Sequence, residues 1–158
     1  MTNNFKLVAL DKNQFTDYFN LSENELAEKG IRKMVVDEFP GFPCRVSLAD
    51  AEIGEEVILL NFEHHIVNSP YKTGGPIFIR KTALTLKPDI NEIPKMFNHR
   101  LLSIRGFDNE ATMIFADVTR GDNLKEKLND ILDNKEIEYL HIHNAKPGCY
   151  NCLVERVK

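Results

Sequence analysis

The sequence lacks the features of a membrane-spanning or exported chain. No segment approaches the roughly 18 consecutive apolar residues that a membrane helix needs. The first residues, MTNNFKLVALDKNQF, contain no basic stretch followed by a long apolar run and a cleavage site of small residues. These absences predict a cytoplasmic protein with no membrane partner.

Positive charge is also in deficit. The chain has 20 Lys and Arg against 24 Asp and Glu, a formal net charge of −4. A field of this sign repels nucleic acid, so nucleic acid is not an expected partner. A small anionic ligand would need a local group of cations, and the composition does not predict the oligomeric state.

Cysteine is scarce, with three residues in 158. An odd number of cysteines does not build a disulfide framework, and a reducing compartment keeps them as thiols or metal ligands. With 42% hydrophobic and 28% charged residues, the chain has the composition of an ordinary globular protein. Because no internal repeat or low-complexity tract interrupts it, we expect one globular domain over residues 1–158.

Short apolar segments bounded by Gly, Pro and Asn predict most of the secondary structure. Ser22 and Glu25 form a capping-box pattern at a helix start, and residues 123–134 have the apolar spacing of an amphipathic helix. Strands are predicted over residues 5–10, 55–65, 77–86, 100–108, 111–121, 136–145 and 147–157. Because strands outnumber helices and several are joined by short connections, the pattern predicts an α+β fold, a mainly antiparallel sheet with a few covering helices.

The segment HIHNAKPGCYNC contains four candidate zinc ligands. His141 and His143 share one face of a strand because side chains alternate. A four-residue hairpin loop would bring Cys152 beside His141, and a loop one residue longer would bring Cys149 beside His143. A regular hairpin thus supplies three ligands, as in a catalytic zinc site that activates water for hydrolysis, and a bulge could supply four, as in a structural site. The sequence leaves both open, beside the alternative that these are ordinary core and edge residues.

Cys44 suggests a different chemistry. Its neighbour Arg45 carries a charge that favours a nucleophilic thiolate, and His64 or His65 could act as the base. On a regular strand His64 and His65 point to opposite faces, so at most one would share a site with a given neighbour. The alternative is a buried, inert cysteine in a packed loop.

A third hypothesis is a metal-free module that binds a small anion. In SPYKTGGPIFIRK the backbone around Gly75 could cradle an anion beside Tyr71, with charge from Arg45, Lys72 and Arg80. The segment is not a Walker loop, because no Lys and Ser or Thr follow the second glycine. A hairpin turn would explain the glycines without a ligand.

Three segments together, PGFPCRVSLADA, HHIVNSPYKTGGPIFIR and HIHNAKPGCYNC, resemble the bacterial family of domain of unknown function 1203. The resemblance covers nearly the whole chain and implies a small single-domain protein without an assigned reaction. Lys72 departs from the pattern, in which arginine is more common, and this weakens the hypothesis of a bidentate anion clamp. Many of the matching positions are polar, and polar positions of this sort fit a pocket. The matching positions are Pro43, Cys44, Arg45, Asp50, His64, His65, Ser69, Pro70, Tyr71, Gly75, Pro76, Arg80, His141, His143, Asn144, Gly148, Cys149 and Cys152.

Overall fold

A computed structural model describes residues 2–158, in which eight strands, two α-helices and four short 3₁₀ helices are found. In chain order the strands and α-helices are β1 (Phe5–Val8), α1 (Glu23–Glu28), β2 (Arg32–Val35), β3 (Glu56–His65), β4 (Thr73–Arg80), β5 (Leu101–Phe107), β6 (Met113–Arg120), α2 (Leu124–Ile131), β7 (Tyr139–Asn144) and β8 (Tyr150–Arg156). The predicted α+β class is confirmed. No helix within residues 2–158 is long and apolar enough to cross a membrane.

The larger sheet has five strands in the order β1, β8, β7, β5, β6, and neighbouring strands are antiparallel. Its central strand β7 is buried on both faces. Leu140 and Ile142 join the main hydrophobic core, to which Leu124 and Leu128 of α2 also belong. Because side chains alternate along a strand, His141 and His143 point to the other face.

The smaller sheet has three strands in the order β2, β3, β4. Its core lies between β3, β4 and α1, and includes Leu26 of that helix. The predicted capping box is present, because Ser22 Oγ accepts from the Glu25 amide and the Glu25 carboxylate accepts from the Ser22 amide. Strand β2 was not predicted, because the apolar pattern of its sequence is weak. In the structure no residue of Arg32–Val35 is fully buried.

Two local features differ from the regular strands of the prediction. The ladder between β3 and β4 is irregular between Phe62 and His65, near the end of β3. The ladder between β7 and β8 is irregular after Ile142, where Asn151 is the extra residue. Both irregularities lie beside the histidine face of β7, so they decide which side chains reach it.

Arg45 connects the two sheets. Its amide donates to the carbonyl of Phe78 on β4 at 3.2 Å, and its Nε donates to the carbonyl of Tyr150 on β8 at 2.7 Å. Nη1 donates to the carbonyl of Pro43. The side chain is 1% exposed, so this arginine bonds the loop before β3 to a strand of each sheet.

Candidate metal centre

Three histidines meet on the face of the large sheet opposite α2. His141 and His143 come from β7, and His64 comes from the end of β3. Each ring offers a nitrogen, and these nitrogens all lie within 4.8 Å of one another. The ring centroids of His64 are 5.6 Å from His141 and 5.0 Å from His143. The histidine trio therefore combines residues from both sheets.

The trio contains buried ring nitrogens that lack partners within residues 2–158. They are both nitrogens of His64, Nδ1 of His141 and Nε2 of His143. His143 Nδ1 lies 3.0 Å from the carbonyl oxygen of Gly148. Because a carbonyl only accepts, Nδ1 carries the proton and the Nε2 lone pair is free. Metal-binding histidines are commonly oriented by such a bond from the other ring nitrogen.

Burial keeps the three rings neutral. Desolvation is the main cause that lowers the pKa of His64 to about 4, of His141 to about 2 and of His143 to about 3. Neighbouring histidines and Arg105 lower these pKa values further. Near neutral pH each ring therefore presents a lone pair, the form of histidine that binds metals.

His65 supports the trio without offering a free nitrogen. Its Nδ1 donates to the carbonyl of Tyr71 at 2.8 Å, and its Nε2 accepts from the hydroxyl of Tyr139 at 2.6 Å. The expectation that only one of His64 and His65 could share a neighbour is wrong, because both rings contact His141, with centroids 5.6 and 4.8 Å away. The irregular end of β3 breaks the alternation on which that expectation rests.

Aromatic rings enclose the trio. Tyr150 stacks on His64 with centroids 4.4 Å apart and planes at 10°. Phe107 contacts His141 at 5.0 Å and stacks on Tyr139. These contacts restrict ring rotation, so they hold the histidine nitrogens in a converging arrangement.

Arg105 is a cation beside the trio. It lies opposite His141 in the ladder between β5 and β7, so both side chains stand on one face. Its charge lowers the pKa of all three histidines. It is half-buried, and no acceptor for its guanidinium is found in the described part of the chain. Arg105 is thus free to contact a ligand at the trio.

The two cysteines of the tail do not join the histidines, so the predicted combinations of histidine and cysteine ligands are not assembled in this arrangement. Of the two loop lengths considered from the sequence, the hairpin has the four-residue loop, with His143 opposite Tyr150. The bulge at Asn151 then places Cys152 opposite Ile142, on the core face, where it is 0% exposed and burial raises its pKa. Cys149 Sγ accepts from Arg45 Nη2 at 3.0 Å and from Asn144 Nδ2 at 3.4 Å.

Cys44 does not have the surroundings of a nucleophile. It is 0% exposed and belongs to the core of the small sheet. Its sulfur accepts from the amides of Arg80 and Ser47 at 3.4 and 3.5 Å. Cys44 is buried in a packed loop, as in the alternative reading, and the predicted use of His64 or His65 as its base has no support.

The predicted anion site is not assembled. Arg80 is paired with Glu55 at 2.8 Å, Lys72 is exposed, and Arg45 is committed to bonds within the protein. Gly75 lies inside β4 and not in a turn, together with the glycine before it. Tyr71 contributes its carbonyl to His65. These five residues therefore do not surround one cavity.

The sequence did not predict that His64 joins His141 and His143. No spacing rule connects it to His141 and His143, because it lies on a distant strand of the other sheet. The only signal was its membership in the set of polar positions expected to line a pocket. The prediction that His141 and His143 converge agrees with the geometry.

Residues 41–156 match the model of a family described as protein of unknown function (DUF1203). The resemblance noted from the sequence is thereby confirmed. No curated protein and no solved structure matches the chain.

Proposed function

Since the chain belongs to the DUF1203 family, whose description assigns no function, we propose from the site alone that His64, His141 and His143 bind a divalent transition metal, with zinc as the first choice. The observation that carries this proposal is the convergence of three ring nitrogens within 4.8 Å. Buried nitrogens without partners cost free energy, about 1–3 kcal/mol each, and a metal would satisfy several at once. If the three rings were only packed in the core, these nitrogens would stay without partners and their free-energy cost would not be offset.

The donor set favours particular metals. Imidazole nitrogen suits zinc, copper, nickel and iron, whereas magnesium and calcium prefer oxygen ligands. Zinc with nitrogen ligands at about 2.1 Å in tetrahedral geometry places those ligands roughly 3.4 Å apart. The nitrogens of the trio, up to 4.8 Å apart, would approach one another by up to about 1.4 Å on binding.

The reaction class that this site favours is hydrolysis. Three protein ligands leave a fourth position for water or substrate, the pattern of a catalytic zinc, which supplies a hydroxide near neutral pH. Arg105, uncommitted on the same face as His141, could stabilise negative charge that develops on a substrate oxygen. His65, held by Tyr71 and Tyr139, would keep the neighbouring His141 ring in place.

Elemental analysis tests metal binding. The protein is purified without chelators, its metal content is measured, and zinc is titrated into the metal-free form. We expect about one equivalent for the parent, and less than about a tenth of an equivalent for His141→Ala and for His143→Ala. The control is His99→Ala, which removes an exposed histidine outside the trio. Absence of zinc uptake by the parent would overturn the proposal.

Cobalt substitution tests which atoms bind. A nitrogen-only site gives cobalt visible bands without the intense near-ultraviolet band of a cobalt–thiolate bond. Cys149→Ser and Cys152→Ala should keep full uptake, because neither sulfur belongs to the trio. Loss of uptake in either variant, together with a thiolate band, would favour the tail cysteines instead.

A further inference from the structure

A sizeable cavity lies away from the trio, where the two sheets meet. Its volume is about 770 Å³, within the range of small-molecule sites, and none of the three histidines lines it. The walls come from β3, β4, the start of β5, the end of β6 and the turn between β7 and β8. The proposed metal site lies outside this cavity, so metal binding does not account for it.

The charged lining of this cavity is of one sign. Arg45, Arg100, Arg120 and Lys146 line it, and no Asp or Glu side chain does. The chain as a whole has a net charge of −4, so this concentration of cations is local. A cavity lined by one sign of charge attracts ligands of the opposite sign.

Two of these cations are already compensated. Arg100 forms a two-point ion pair with Asp50, at 3.0 and 2.5 Å, and Arg120 lies 3.3 Å from Asp122. Lys146 is exposed and has no ion-pair partner within the described residues. The positive charge that an anion would meet therefore comes mainly from Lys146 and from the buried Arg45.

Arg45 is the strongest indication of a ligand. Its side chain is 1% exposed and no carboxylate lies within ion-pairing distance among residues 2–158. Buried charges are normally paired, because removing a charge from water costs several kcal/mol. Two of its donors bond to backbone carbonyls and Nη2 bonds to Cys149 Sγ. These partners satisfy its hydrogen bonds, and none of them is a carboxylate.

The rest of the wall is apolar. Leu59, Phe78 and Leu101 line it together with prolines from three segments. A purely inorganic anion would leave this apolar surface in contact with water. We propose that the cavity binds a small organic anion, a carboxylate or phosphate on an aliphatic or aromatic body, with the anionic group near Lys146 and Arg45 and the body against the apolar wall.

Cys149 provides a built-in probe of this proposal. It lines the cavity and is partly exposed, whereas Cys44 and Cys152 are 0% exposed. The alkylation rates of Cys149 by iodoacetate and by iodoacetamide are compared in the native protein by mass spectrometry. A cationic cavity should raise the ratio of the iodoacetate rate to the iodoacetamide rate about tenfold above the same ratio measured for free glutathione.

Charge variants and competitors complete the test. Lys146→Glu should lower the ratio several-fold, and the control Lys6→Glu, the same change at an exposed site on β1, should not. Octanoate and octyl phosphate should protect Cys149, and the better protector identifies the anionic group. Octanol at equal concentration should not protect. A ratio equal to that of glutathione, or equal protection by octanol, would overturn the proposal.

Discussion

At the scale of single residues, the properties of the trio follow from burial. An exposed histidine exchanges its proton near neutral pH, but His141 and His143 are 3% and 1% exposed and have depressed pKa values. The same burial leaves ring nitrogens unpartnered within the described chain. Keeping these rings neutral and close together therefore lowers the free energy of unfolding, and this has consequences that can be measured.

The first consequence is acid sensitivity of the metal-free protein. The unfolded histidines titrate near pH 6.5, whereas in the folded protein the pKa values are about 4, 2 and 3 for His64, His141 and His143. Between these values only the unfolded chain takes up the protons. The histidine contribution to stability is therefore complete above pH 6.5 and is lost as pH falls through the folded values.

Calorimetric melting between about pH 7.5 and 4.5 measures this effect. His141→Gln should flatten the dependence of Tm on pH, because it removes one of the depressed groups. His99→Gln, outside the trio, should leave the parent slope. Equal slopes for all three proteins would contradict the expectation.

The second consequence concerns Arg105. Replacing it with Gln removes a positive charge that faces the trio, so zinc affinity should rise about three- to tenfold. The same variant should bind phosphate more weakly in its zinc-loaded form, because the cation beside the open position is lost. Isothermal titration measures both, with Arg32→Gln on the exposed edge of β2 as the control. Weaker zinc binding in Arg105→Gln would contradict this role.

At the scale of elements, small irregularities decide which side chains face the site. The bulge at Asn151 turns Cys152 into the core, and the irregular end of β3 brings His64 to His141. The adjacent strand β4 carries two glycines with different surroundings. A Cβ on Gly74 would lie 2.7 Å from the carbonyl oxygen of Phe62, whereas a Cβ on Gly75 would meet nothing within 4 Å.

These glycines can be tested as a matched pair. Gly74→Ala should lower the free energy of unfolding by about 1–3 kcal/mol, because the backbone of β3 must move away. Gly75→Ala should change it by less than about 0.5 kcal/mol. Chemical denaturation at neutral pH measures both, and metal uptake should persist in Gly75→Ala. Equal losses of unfolding free energy for the two variants would contradict close packing against β3 as the reason for glycine at position 74.

At the scale of the whole molecule, the two sheets depend on a shared joint. Arg45 donates to Tyr150 on the large sheet, and its amide donates to Phe78 on the small one. The trio also needs both sheets, since His64 belongs to the small one and His143 to the large one. Loosening the joint should therefore affect stability and metal binding together.

Arg45→Lys tests the joint. Lysine keeps the charge but cannot reproduce the planar set of donors, so buried carbonyls lose partners. The free energy of unfolding should fall by about 2–4 kcal/mol and zinc affinity should fall with it. Arg80→Lys is the control, because its partly exposed ion pair with Glu55 should cost about 1 kcal/mol or less. Equal losses in urea denaturation would contradict a special role for Arg45.

The sequence by itself determined the α+β class, most of the strands and part of the site, but not β2. Period-two alternation predicts that His141 and His143 share a face, and the capping pattern at Ser22 and Glu25 predicts the start of α1. These are local consequences of backbone geometry, so neighbouring residues suffice to reveal them. The family resemblance likewise followed from the residues alone.

Only the tertiary structure decided which side chains meet His141 and His143. His64 rather than Cys149 or Cys152 joins the two histidines. The bulge at Asn151 turns Cys152 of β8 into the core, and the irregular end of β3 brings His64 to β7. The same packing buries Arg45 beside a cavity, where no described carboxylate pairs with it. Contacts of this kind depend on strand register and on the docking of distant segments, and neither is encoded in the spacing of nearby residues.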